Sequence, residues 1–153
     1  MNRRGVTFVE LLIVFAVVGI LARLMLPRMQ QLRAKAVATR VVSDYHAIKL
    51  AAYSYYTVHR AWPAEAGAGM RPPELARDLG NSVSFSQSDY VLDWEHWSVP
   101  GGLPSSPATT EVVGVTVTTS DPAVGQNVLR LLGPHTIHFT AGNATTYLIV
   151  GNP

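Results

Sequence analysis

The first 26 residues constrain this chain more than any other stretch, because a long apolar run follows a short basic start. Residues 6–26 are 21 positions, and their charged side chains are Glu10 and Arg23. As an α-helix the run would be about 31 Å long, which is enough to cross the hydrocarbon core of a bilayer. A carboxylate inside such a run is costly unless it has a partner, so Glu10 needs a specific role.

Three interpretations fit a basic start followed by an apolar run. A cleaved secretory signal peptide is disfavoured, because the run is too long and no small-x-small cleavage site follows it. A plain membrane anchor fits the length of the run but leaves Glu10 unexplained. The third interpretation is a helix that is processed and then assembled with other subunits.

The segment that spans the basic start and the beginning of the apolar run reads RRGVTFVELLIV at residues 3–14. It resembles the prepilin signal of type IV pilins and type II secretion pseudopilins. The resemblance implies that a prepilin peptidase removes a leader, residues 1–5, by cutting after Gly5, and that the new amine of Val6 is methylated. It also implies that Glu10 is the assembly glutamate, and that the helix is loosened or kinked at Gly19 and Pro27.

Physical chemistry supports an assembly role for Glu10. A carboxylate in lipid must find a partner or become neutral, and its own helix has no cation one turn away inside the membrane. An adjacent subunit could present its freed Val6 amine to Glu10. That pair would set the register between subunits, because an axial slip would leave both charges unpaired.

Charge is distributed unevenly along the chain, whose formal net charge is +2. Residues 1–61 carry nine Lys or Arg and two acids, whereas residues 62–153 carry three Lys or Arg and eight acids. An acidic second part argues against nucleic-acid binding. A count of cations alone would place that part in the cytoplasm. The resemblance implies the opposite, namely a single-pass protein of the bacterial inner membrane with a cytoplasmic leader and an external head, the folded part that contains residues 62–153.

Helical periodicity continues beyond the apolar run, in residues 27–61. Small, aliphatic and aromatic residues recur there at alternating steps of four and three, which is typical of the buried face of an amphipathic helix. This stripe consists of Ala34, Ala38, Val41, Tyr45, Ile48, Ala52 and Tyr55. We therefore expect one helix from about residue 7 to residue 59, with its first half in lipid and its second half packed on a head.

Residues 62–153 read as a loop-rich connector followed by strands. A short helix is predicted at residues 73–79 and another at residues 122–132, with strands around residues 90–95 and 113–117. Residues 135–140 and 145–150 flank a turn and predict a hairpin. The expected fold class is α+β, with a long N-terminal helix packed on a small antiparallel sheet, as in pilins.

Catalytic and metal sites have little support in the sequence. The chain has no cysteine, and its serines and histidines lack the spacing of a nucleophile elbow. The best candidate for a cation site is a group of three acids on or beside the first strand, Asp89, Asp93 and Glu95, although a solvated acidic face is the simpler interpretation. We therefore expect no enzyme activity and no cofactor.

The sequence favours a structural subunit, a pilin or pseudopilin, that polymerises through its N-terminal helix. The resemblance implies three kinds of partner: a prepilin peptidase, other pilin or pseudopilin subunits, and an inner-membrane assembly platform. The alternative is a single-pass, membrane-anchored binding module that does not polymerise. Loss of residues 1–5 on treatment with a prepilin peptidase would separate the two.

Overall fold

The computed structural model describes residues 7–102 and 110–149, and it confirms the predicted α+β fold. A 52-residue helix, α1, spans Phe8–His59 and is followed by a short 3-10 turn, Pro73–Leu75. The remaining elements are α2 (Ala76–Leu79), β1 (Val91–Ser98), β2 (Glu111–Thr118), α3 (Pro122–Leu132), β3 (His138–Ala141) and β4 (Ala144–Ile149).

Both ends of α1 are explained by local chemistry. Thr7 is the N-cap, and its Oγ1 accepts a hydrogen bond of 3.3 Å from the backbone N–H of Glu10. At the other end Arg60 adopts a left-handed conformation with φ of 56°, and its N–H donates to the carbonyl of Tyr56. The predicted helix from about residue 7 to residue 59 is therefore confirmed.

The second half of α1 presents the predicted stripe to the core. Six of its seven members are at most 2 % exposed, and Tyr55, at the end of the stripe, is half-buried. One polar residue outside the stripe, Asp44, is also buried, with 6 % of its surface exposed. Asp44 lies only about 60° from Val41 around the helix axis, which places it at the edge of the buried face.

The four strands form one antiparallel sheet in the order β1-β2-β4-β3. The β3–β4 hairpin turns through Gly142 and Asn143, and Gly142 has a φ of 63°, which glycine tolerates well. The predicted strand at residues 135–140 begins later than expected, at His138. Thr136 instead closes the end of α3, because its Oγ1 donates to the carbonyl of Leu132 at 3.1 Å.

Helices α1 and α3 pack side by side, and their apolar faces share one core with the inner face of the sheet. The predicted limits of α3 are confirmed, with the Asp121 side chain accepting from the N–H of Ala123 at 2.8 Å as its N-cap. The predicted helix at residues 73–79 is divided between the 3-10 turn and α2. The connector is tied to the core by Trp94, whose Nε1 donates to the carbonyl of Pro63 at 3.0 Å.

Candidate assembly helix and its junction with the head

The first half of α1 is apolar and projects away from the head. Its large side chains are exposed, including Phe8 at 78 % and Phe15 at 73 %, so nothing in the described head covers them. Within residues 7–102 and 110–149, α1 is the one helix long and apolar enough to cross a membrane. A surface this apolar is stable in lipid or against other helices, but not in water.

Glu10 lies in the first turn of α1, and its side chain is exposed among apolar neighbours. Its backbone N–H is used by the Thr7 cap, but its carboxylate forms no ion pair with any residue in the described ranges. The next cation on the helix, Arg23, is 13 residues away, or about 20 Å along the axis. The described chain therefore leaves the carboxylate free for a partner outside it.

Gly19 and Pro27 both lie inside α1, which continues through them. A Cβ atom built on Gly19 would meet nothing within 4 Å, so packing within the subunit does not require glycine there. Pro27 lacks the N–H that would bond to the carbonyl of Arg23, which weakens the helix at the end of its apolar half. The processing residues Gly5 and Val6 lie outside the described residues.

A buried hydrogen bond joins the second half of α1 to the head. The hydroxyl of Tyr90 donates to Oδ2 of Asp44 at 2.6 Å, and both residues are buried. Burial raises the pKa of Tyr90, and the hydrogen bond to Asp44 and the charge of that carboxylate raise it further, so Tyr90 stays protonated as the donor. Nearby, the Arg33 guanidinium pairs with Asp89 at 2.8 Å in a more exposed position.

Three aromatic rings fasten the end of α1 to the connector. Trp62 stacks on Tyr56 with ring centroids 4.5 Å apart, and it contacts the edge of Tyr53 at 5.6 Å. Trp62 lies two residues after Arg60, the left-handed residue that ends α1, so this stacking holds the start of the connector against the helix. The junction is thus held by polar and aromatic contacts as well as by the apolar core.

The three acids considered for a cation site have different partners in the structure. Asp89 pairs with Arg33, and Glu95 accepts a hydrogen bond of 2.8 Å from the hydroxyl of Thr116. Asp93 has a buried Oδ1 without a hydrogen-bond partner, and burial, with help from the charges of Glu95 and Glu65, raises its pKa to about 6. In the part of the chain that the structure describes, no group of three or more His, Asp or Glu side chains is arranged to hold a metal ion.

Two features were not anticipated from the sequence. The first is the buried Asp44, which the position of that residue near Val41 on the helical wheel would have indicated. The second is a cleft in which Arg28 and Lys35 of α1 meet Arg130 of α3. No local sequence pattern predicts this cleft, because Arg130 is 95 residues from Lys35 in the sequence.

Comparisons with known proteins agree with this geometry. Residues 1–22 match the family described as the prokaryotic N-terminal methylation motif. The chain is 38 % identical over 71 residues to a type IV major pilin protein PilE1 of Neisseria gonorrhoeae, which covers 46 % of this chain and 33 % of the relative. It is 44 % identical over 52 residues to a fimbrial protein of Pseudomonas aeruginosa, covering 34 % of each.

A fimbrial protein of Neisseria meningitidis serogroup A is 39 % identical over 62 residues, which are 40 % of this chain and 36 % of the relative. The chain thus spans between a third and a half of the length of the curated relatives it matches. No solved structure matches it significantly. The N-terminal motif, these relatives and the fold of a long helix on an antiparallel sheet support a type IV pilin-like family.

Proposed function

We propose that this chain is a structural subunit, a pilin or pseudopilin, of a type IV pilus-like or type II secretion filament. The observation that carries the proposal is the exposed apolar half of α1, with Glu10 in its first turn and no covering from the described head. Such a helix suits two environments in succession. It anchors the subunit in the inner membrane, and it then packs against the same helix of other subunits in a filament core.

Processing would precede assembly. A prepilin peptidase cuts after Gly5, and the Val6 amine becomes the new, methylated N-terminus, as the match over residues 1–22 suggests. The leader lies in the cytoplasm, the helix crosses the membrane once, and the head lies outside. An inner-membrane assembly platform then moves the subunit into the growing filament.

Assembly would join Glu10 of one subunit to the Val6 amine of another. The described chain offers the carboxylate no cation, and a charge pair in a filament core would be poorly screened. Gly19 has open space around its Cβ position in the single subunit, so a neighbouring helix could approach closely there. The charge pair would set the register, and the apolar surface would supply most of the association free energy.

The proposal is tested by expressing Glu10→Ala in the native host, with Asp78→Ala as a matched control in an exposed acid of the head. We expect both variants to reach the membrane, but the Glu10 variant to be missing from sheared and sedimented filaments. Asp78→Ala should assemble normally. Normal incorporation of Glu10→Ala would refute the assembly role.

The processing step has its own measurement. Intact-mass spectrometry before and after treatment of membranes with a prepilin peptidase should show the loss of residues 1–5, followed by the mass of one methyl group in cells that contain the methylating activity. A chain that keeps residues 1–5 and forms no filaments would instead support a membrane-anchored binding module.

A further inference from the structure

A basic cleft lies between the middle of α1 and the outer side of α3. Its volume is about 730 Å³, and it combines three cations with amide groups and one exposed leucine. We call it the basic cleft, and its lining includes Arg28, Lys35, Arg130, Gln126, Asn127 and Leu32. Two of its cations come from the helix and the third comes from the head, so the cleft exists only in the folded protein.

The cations of the basic cleft have no acidic partner among the described residues. In residues 7–102 and 110–149, Arg28, Lys35 and Arg130 form no ion pair with a carboxylate, whereas Arg33, on the same helix, pairs with Asp89. Like charges that line one cleft repel each other, and a bound anion would remove that repulsion. The forked guanidinium group of arginine and the N–H groups of side-chain amides can donate hydrogen bonds to phosphate oxygens.

The position of the basic cleft indicates where that phosphate comes from. Arg28 follows the apolar half of α1 by two residues, and Lys35 lies about 13 Å from Leu26 along the axis. The headgroup layer extends about 5–8 Å beyond each side of the hydrocarbon core, and long basic side chains can reach back towards it. Leu32 within the cleft and Met29 beside it are about two-thirds exposed and add apolar surface at the same level.

We propose that the basic cleft binds the headgroup phosphate of an anionic phospholipid and thereby holds the head against the membrane surface. Arg28 and Arg130 would contact the phosphate oxygens, Lys35 would add charge, and Gln126 and Asn127 would bond to glycerol hydroxyls. The exposed leucine and methionine would face the start of the acyl chains. The inference rests on the membrane anchoring in the proposed function, but not on polymerisation or on the orientation of the chain.

The test uses the full chain in nanodiscs made of phosphatidylcholine with a minority of phosphatidylglycerol. After gentle extraction, native mass spectrometry counts the lipids that remain bound to the protein. We expect phosphatidylglycerol to be enriched over its share in the disc. Arg130→Gln should reduce that enrichment by about five-fold, the usual effect of one cation at an anionic surface.

Arg130 is the decisive position because it belongs to the head, while cations on the stem alone could reach lipid without any cleft. Arg130→Lys should restore most of the enrichment, and Arg77→Gln, an exposed arginine on α2, should leave it unchanged. Equal loss in Arg77→Gln would mean that general charge, and not the cleft, selects the lipid. That result would overturn the inference.

Other results separate the remaining explanations. A chain that enters the nanodiscs but shows no preference for phosphatidylglycerol overturns the lipid inference alone, whereas a chain that does not enter them contradicts the anchoring itself. Suppression of the enrichment by inorganic phosphate at millimolar concentration would assign the cleft to free anions. Association of two copies in phosphatidylcholine alone, lost in Arg130→Gln, would assign it to the acidic head of another subunit.

Discussion

Replacing Tyr90 by phenylalanine tests how the head is attached to the helix. The change removes one hydroxyl group, which donates to Oδ2 of Asp44 at 2.6 Å, and leaves the ring in place. Because Asp44 is 6 % exposed and Tyr90 is 4 % exposed, water cannot easily replace the lost donor. The variant therefore leaves a buried carboxylate without its hydroxyl donor and creates almost no cavity.

The magnitude follows from that geometry. A hydrogen bond to a charged group contributes about 1.5–3 kcal/mol, and a buried acceptor that loses its donor also bears a desolvation penalty. We expect Tyr90→Phe to lower the free energy of unfolding of the head by about 2 kcal/mol. For a domain of this size, the midpoint temperature should fall by roughly 8–16 °C.

Tryptophan fluorescence is a suitable assay, because Trp62, Trp94 and Trp97 all lie in the head and the first half of α1 has no tryptophan. Urea titrations of the full chain in nanodiscs would give the free energy of unfolding. Tyr55→Phe is the matched control, since the hydroxyl of this half-buried tyrosine has no hydrogen bond in the described structure.

A double-mutant cycle with Asp44→Asn then isolates the pair. If the bond acts as described, the two single changes should be non-additive by at least about 1 kcal/mol. A Tyr90→Phe variant whose free energy of unfolding is within about 0.5 kcal/mol of the wild-type value would refute the reasoning, since substitutions of exposed residues have effects of that size.

Three further changes probe the head and the helix. Burial and the charges of Glu95 and Glu65 raise the pKa of Asp93 to about 6 from 3.8, so the folded head binds a proton that the unfolded chain releases. The stability that this proton uptake contributes is present below about pH 4 and is lost as the pH rises through about 6. In urea titrations at pH 7, Asp93→Asn should therefore be more stable than the wild type by about 1 kcal/mol, a value that allows for solvent screening. At pH 4 the two proteins should be equally stable. Gly114→Ala would place a Cβ 3.0 Å from the carbonyl oxygen of Tyr147 on the neighbouring strand, and should cost about 1–3 kcal/mol in the same assay. Gly19→Ala has open space around the new methyl group, so circular dichroism should show an equally or more helical subunit, while filament yield should fall if a neighbouring helix packs there.

Much of the fold could be predicted because local signals control it. The four-three spacing from Ala34 to Ala52 specifies a buried helical face, and that face is buried in the structure. Asp121 before a proline and Gly133 after the last leucine define both ends of α3. In each case the residues that determine the element lie within it or next to it.

The errors arose where tertiary contacts override local pattern. Residues 135–140 alternate like a strand, but the side chain of Thr136 bonds to the end of α3 and delays β3 to His138. Asp44 is polar and lies outside the predicted apolar stripe, yet it is buried, and a tyrosine 46 residues away supplies its donor. The basic cleft depends on the packing of α3 beside α1, which no window of the sequence contains.

The two acids of α1, Glu10 and Asp44, meet the same physical problem in different ways. Asp44 is buried by the head, whereas Glu10 lies on an exposed apolar surface that lipid or other helices would cover under the proposed function. Asp44 finds its donor, Tyr90, inside the subunit, so its stabilisation is complete when the chain folds. Glu10 finds no ion-pair partner in the described chain, so under the proposed function its partner would come from another subunit. Folding therefore gives the carboxylate in the second half of the helix its partner but leaves the one in the first half without an ion pair in the described chain, and under the proposed function this difference would favour assembly after the head has formed.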